Sequence, residues 1–317
     1  MSVAEYSTTL LHQPANDDLR FLPEGPYPYA AGKLSWVGIQ HGAQASIGSL
    51  NILDLAASQN ETFPLHGRPG FAFPTSRPGV FLVGLEREIG LFDTQSANWE
   101  TLVDGIDAAV EGTIVNDGVA FSGGIVFGAK DLEFQEKKAG LYLWRTADRQ
   151  LVQLRNDQIC SNGKVIFEQA GQTKLLDIDS PTQTAVAYDF DPHNGKLGDP
   201  EIFVDLRDTD VFPDGMIITP DHQSVIIAIY NPNDADYGEA RQYGIASGQL
   251  EAVWKTPGAP QVTCPQLIAH QGAIQLVLTT AVEHMDPERR AKYPDLGSLF
   301  IGETPFTSLP DTPQVTL

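Results

Sequence analysis

The chain has 317 residues, with 20 Lys plus Arg against 41 Asp plus Glu, for a net charge of −21. That balance excludes attraction to a nucleic-acid backbone or an anionic membrane surface, so neither is expected as a partner; its general use is solubility, and it also suits a cation site. No uncharged apolar run is long enough to span a bilayer, and residues 1–18 carry neither a basic segment nor an apolar one, so one cytoplasmic domain over residues 1–317 is expected.

In chain order, residues 6–11 are an apolar, β-prone segment. They precede a short turn motif that recurs at Glu24-Gly25-Pro26, Pro69-Gly70-Phe71, Asn116-Asp117-Gly118, Asn162-Gly163, Asp214-Gly215 and, without its glycine, Cys264-Pro265. The intervals are 45 to 52 residues, a period typical of propeller blades. Between the motifs lie β-branched and aromatic runs at 50–55, 80–85, 125–127, 141–144, 225–230 and 274–280. Hairpin signals fall at 31–33, 122–124, 170–172 and 220–222. Residues 231–243 and 282–297 read as long loops that shape a pocket mouth, with a turn or two of helix at 286–292. Residues 298–301 are the last strand, expected to share a blade with 6–11 and so close the ring. The fold class is therefore an all-β, six-bladed β-propeller with a central metal site.

Singly, Asn-Gly and Asp-Gly are hairpin signals. As a set, Glu24, Asn116, Asp117, Asn162 and Asp214 occupy matching points of different repeats, expected just before each first strand, where a hairpin is not required. A propeller brings such points to one channel. The result is an all-oxygen cluster suited to one hard divalent cation, Ca²⁺ first, with Mg²⁺ or Mn²⁺ as alternatives, and it disfavours structural zinc. The seven histidines show no metal-ligand spacing, and no Gly-x-Ser-x-Gly motif is present. Cys160 and Cys264 begin different repeats and are expected as buried, unpaired thiols.

In order, Glu24-Gly25-Pro26, Asn116-Asp117-Gly118, Ser161-Asn162-Gly163 with Asp179-Ser180, and Phe212-Pro213-Asp214-Gly215-Met216 with Tyr230-Asn231 resemble the senescence marker protein 30, gluconolactonase and luciferin-regenerating enzyme family. Residues 285–297 resemble that family's last loop. The resemblance implies one catalytic divalent cation at the channel, Ca²⁺ first, with Mg²⁺, Mn²⁺ or Zn²⁺ as alternatives. It places Glu24, Asn162 and Asp214 as ligands, Asn116 against water or substrate, and Asp117 as a second carboxylate. Glu133 falls near a pocket carboxylate once a one-residue gap is allowed. Where sugar lactonases of the family carry a substrate-binding arginine, this chain has Ile114, which cannot donate to a polyol. Lys130 is the candidate replacement.

The expected activity is metal-dependent hydrolysis of a lactone or similar cyclic ester, with Asp214 or Asp117 as base and Asn116 orienting substrate or water. The alternatives are a phosphotriesterase of the diisopropyl-fluorophosphatase type and a calcium-binding propeller without turnover.

Overall fold

A computed structural model describes residues 2–310 and Val315. Strands dominate, as the β-branched runs require; the one α-helix among the described residues is Pro287–Ala291, capped by the Asp286 side chain, which accepts from the Arg289 amide. No helix among the described residues is long and apolar enough to cross a membrane.

The strands form five sheets, antiparallel but for one pair, in a propeller-like arrangement. Four stand alone as blades. They run outward from Pro23–Ala30, Pro69–Pro74, Thr113–Phe121 and Ser161–Gln169, and in the last of these the outer position is shared by Lys196–Leu197 and Glu201–Asp205. The remaining eight strands make one sheet, whose two ends are Phe212–Ile218 and Val262–His270.

Six separate sheets were expected, and the hydrogen bonding gives five. The cause is Ala4–His12, which bonds on both edges. It pairs antiparallel with Leu299–Glu303, joining N- and C-terminal segments as the sequence predicts, and its first half pairs parallel with Leu250–Pro257. One strand therefore fuses two four-stranded halves, and the pairing leaves neither edge of that strand open.

Apolar side chains fill the space between neighbouring sheets. Leu22, Val37, Ala72 and Phe81 join the first two; Phe73, Leu82, Phe127 and Trp144 the next two. Leu34 and Trp36 meet Val277 and Leu299, connecting the first sheet to the end of the chain. The second strands of the sheets thus bury both faces, which explains the near-continuous apolar runs Val80–Leu85 and Ser224–Tyr230.

One sequence expectation needs relocating. The recurring motifs do not precede the innermost strands; they lie inside them, as bulges. Register shifts occur between Glu24 and Tyr27, Pro69 and Phe71, Val115 and Gly118, Asn162 and Lys164, Pro213 and Met216, and Val262 and Pro265. A bulge leaves a residue unpaired and re-aims its side chain, which a regular strand cannot do. The glycines answer a second need, backbone contact between sheets. A Cβ on Gly70 would lie 1.8 Å from the Asn116 carbonyl oxygen, and one on Gly163 would lie 2.5 Å from that of Asp214.

The loop expected over 231–243 is shorter, because Tyr237–Gly244 is a strand. Its buried Gly238 and Ala240 alternate with Glu239 and Arg241, and an ion pair between those two charges hides the period-two pattern.

Candidate active site

The bulges distribute neighbouring residues between two openings of one channel. Glu24, Asn116, Asn162 and Asp214 line a cavity of about 300 Å³ together with Lys130, Phe134, Cys160, Tyr230, Gln261, Glu283 and Arg289. Gly25, Asp117, Lys164, Met216 and Cys264 line a wider space of about 1010 Å³ with Tyr27, Phe71, Phe73, Phe121 and Phe167. Asn116 and Asp117 are adjacent in sequence and border different spaces. That separation is what an unpaired bulge between Val115 and Gly118 permits.

The amides are held firmly. Asn116 Nδ2 donates to Asn162 Oδ1 at 2.8 Å and to the Ser161 carbonyl at 2.9 Å. Asn162 Nδ2 donates to Ser180 Oγ at 2.8 Å, and that hydroxyl donates to the Pro213 carbonyl at 2.7 Å, beside Asp214. Asp179 accepts from the backbone N–H of Cys160 at 2.8 Å and of Ile159, fixing the start of the Asn162 strand. Asp179-Ser180 thereby acts as a brace under Asn162.

The carboxylates are poorly compensated. Glu24 is 8% exposed and accepts from the Gly25 N–H at 2.9 Å. Burial, then the charge of Asp117, pushes its carboxyl up to about 8. Asp214 is equally buried and accepts no hydrogen bond among the described residues. Burial raises its carboxyl well above the ordinary range, reinforced by Glu24 and Asp117. Asp117 is raised by burial while the Lys164 charge opposes the shift, and its carboxylate accepts from the Gly118 N–H at 2.7 Å.

These residues fit a divalent cation. Two crowded, buried carboxylates disfavour their own ionisation, and a bound cation removes that cost. With the Asn162 amide oxygen they make an all-oxygen set, the kind that hard cations take. Carboxylates alone would not suffice: among the described residues no group of three or more His, Cys, Asp or Glu side chains is arranged to hold a metal.

The other expected residues fall in different places. Lys130 borders the cavity, while Ile114 is buried in the sheet directly across from it in register and does not line the cavity. Glu133 is exposed outside the cavity, and its neighbour Phe134 lines it instead. Sequence reading missed Glu283, Gln261 and Arg289. Glu283 and Arg289 belong to the 282–297 loop, whose length was the available signal. Gln261 is held out of the repeat pattern by its own bonds: Nε2 donates to the carbonyls of Ala281 and Glu283.

The chain is 29% identical over 174 residues to YvrE of Bacillus subtilis, a candidate sugar lactone lactonase, covering 55% of this chain and 56% of the relative. It is 27% identical over 234 residues to an L-arabinolactonase of Azospirillum brasilense, covering 73% and 72% respectively. The chain thus spans a little over half the length of the first relative and about seven-tenths of the second. Among solved structures it resembles regucalcin of Agrobacterium tumefaciens, described as a calcium-binding protein, with a TM-score of 0.79 at 20% identity over 98% of this chain and 99% of that one. The model of the SMP-30/gluconolactonase/LRE-like region matches residues 22–282, so the chain belongs to that family.

Proposed function

We propose that this protein is a divalent-cation-dependent lactonase, with Ca²⁺ as the first candidate cation, built on a ring of six blades. The eight-stranded sheet then counts as two blades joined by the Ala4–His12 strand, each half carrying one of the six bulges. The observation that carries the functional reading is the pair of buried, poorly compensated carboxylates, Glu24 and Asp214, beside a braced Asn162 on one cavity wall. Both curated relatives bear lactonase names, and the regucalcin neighbour is named for calcium binding.

Glu24, Asn162 and Asp214 would hold the cation. Seated there, it would supply Lewis-acid polarisation of the lactone carbonyl. Asp214 takes a proton from the attacking water, and its place on the cavity wall favours it over Asp117, which borders the wider space. Asn116 orients water or substrate through Oδ1, since its Nδ2 is already engaged. As the bond from the carbonyl carbon to the ring oxygen breaks, that oxygen receives the proton and the product is a hydroxy acid. Lys130 contacts the substrate's oxygens. Glu133 and Ile114 fall outside this scheme because neither lines the cavity.

The test is hydrolysis of a panel of five- and six-membered lactones with Ca²⁺ and with chelator, spontaneous hydrolysis subtracted. Cation-dependent turnover is expected; no turnover above the spontaneous rate on any lactone overturns the proposal.

A further inference from the structure

Lys130 has the most unusual environment of any cation in the cavity. It is 5% exposed and borders the 300 Å³ space. Its backbone is pinned on both sides, paired with Ile114 in its own sheet and bridged to Cys160 at the start of the next. Yet among the described residues its Nζ makes no hydrogen bond and has no carboxylate oxygen within 4.0 Å. Its contact is the Phe134 ring, 5.4 Å from Nζ to centroid. Its charge acts on Glu24 and Asp214 from beyond ion-pair distance, so the ammonium is buried without a direct acceptor, and a ring face compensates only part of that cost.

Arg289, the other cation on the wall, is already committed. Its Nε pairs with Asp234 at 2.9 Å, Nη1 donates to Gln261 at 3.2 Å and Nη2 donates to the Asn233 carbonyl at 2.8 Å. The wall carries the carboxyls of Glu24, Asp214 and Glu283 with Lys130 and Arg289, and Asp117 lies near enough for its charge to act on Glu24 and Asp214. A seated divalent cation would add two positive charges there. Glu24 and Asp214 would then face the cation, and the ammonium of Lys130 would still lack an acceptor.

We infer that Lys130 anchors a carboxylate of the substrate, so that the cavity selects lactones of sugar diacids or similar acid-bearing lactones over neutral ones. This rests on the lactonase reading and names its substrate class. A charge-assisted hydrogen bond to an ammonium that is itself buried is the strong kind, and a hydroxyl in the same place gains less from it.

The experiment compares two lactones of equal ring size, one ending in a hydroxymethyl group and one in a carboxylate, on the Ca²⁺-loaded parent, Lys130→Met and Lys130→Arg. The ratio of kcat/KM for the acid-bearing to the neutral lactone should fall about tenfold to a hundredfold in Lys130→Met and be largely kept in Lys130→Arg. Calorimetry supplies a second readout, binding of the two hydrolysis products: the dicarboxylate should bind the parent more tightly than the monocarboxylate, only with Ca²⁺ present, and Lys130→Met should erase the difference. An unchanged ratio and unchanged product preference overturn the inference. So does a Lys130→Met variant altered in Ca²⁺ affinity alone, which would make Lys130 a counter-ion for Glu24 and Asp214. If Lys130→Met does not fold, Lys130→Gln takes its place. Absence of turnover on both lactones in the parent speaks against the lactonase reading, and the calorimetric comparison still decides the role of Lys130.

Discussion

The two ends of the channel share four inner strands and are lined differently. At the narrow end four inner strands present Glu24, Asn116, Asn162 and Asp214 to a cavity of about 300 Å³; at the wide end all six take part, with Tyr27, Phe71, Phe73 and Phe167 beside Asp117 and Lys164 around about 1010 Å³. Phe71 and Phe73 stack at 4.9 Å and Phe71 meets Phe127 at 5.9 Å, so the wide end is shaped by apolar packing. A strand without a bulge would alternate strictly and send every second residue to one side. The single displaced residue lets one strand supply a polar group to one end and an apolar floor to the other.

The strongest way to break this contrast is Asp214→Asn. Removing the proposed base should lower kcat about a hundredfold or more on any lactone the parent turns over. It should also abolish most of the rise in Tm that Ca²⁺ produces, measured by thermal melting with and without the cation. Retained activity and an unchanged Ca²⁺-dependent rise would separate Asp214 from the site. Next in size is Gly163→Ala, where the new methyl meets the Asp214 carbonyl oxygen at 2.5 Å and Met216 Cβ at 2.6 Å. Backbone cannot yield as a flexible side chain does, so a loss of about 1–3 kcal/mol is expected in denaturant melts. The Ca²⁺-dependent rise in Tm should shrink with it, because the methyl displaces the strand bearing Asp214.

What could be read in the sequence follows from what repeats. The bulge motifs recur because each inner strand must approach the next, as Gly70 does Asn116, and that spacing is visible in one dimension. Strands with both faces buried, such as Val80–Leu85, carry a plain apolar signal. The fusion of two halves into one eight-stranded sheet was not legible, since parallel pairing of Ala4–Ser7 with Ala252–Lys255 depends on two distant segments and leaves no local pattern. At the site, Glu24, Asn162 and Asp214 were legible as members of the repeat. Glu283 and Arg289 were not, because they come from a loop that occurs once. The fate of Glu133 and Phe134 was beyond reach for a different reason. Phe134 has a φ of 54°, and a left-handed residue reverses which of two neighbours turns inward.

A pH series sharpens the contrast further, because uncompensated carboxylates make a specific demand on the metal-free protein. Glu24 has an ordinary value of 4.5 and is pushed up to about 8 in the fold. Between those values the native state holds a proton that the unfolded chain releases, so stability is fully present below the lower value and is lost as pH rises through the higher one. With chelator, Tm should fall from pH 5 to pH 8; with saturating Ca²⁺ the slope should flatten or reverse. Glu24→Gln should flatten it without the cation. A metal-free protein equally stable at both ends of the range would show that these carboxylates are compensated after all.

The smallest expected effect lies just outside the cavity. Glu133 is exposed, its side chain makes no ion pair among the described residues, and it does not border the narrow end, whereas Glu283 does. Glu133→Gln should change stability by no more than about 0.5 kcal/mol and kcat/KM by less than about twofold. Glu283→Gln removes a carboxylate whose charge raises Asp214 and should shift both the Ca²⁺ affinity and the pH dependence of turnover. Titration of the two variants with Ca²⁺ by calorimetry, alongside kcat/KM across pH, checks the pair. If the two behave alike, or if Glu133 proves the more sensitive, the boundary drawn here between Phe134 on the cavity wall and Glu133 outside it is wrong, and Glu133 must turn into the site during turnover.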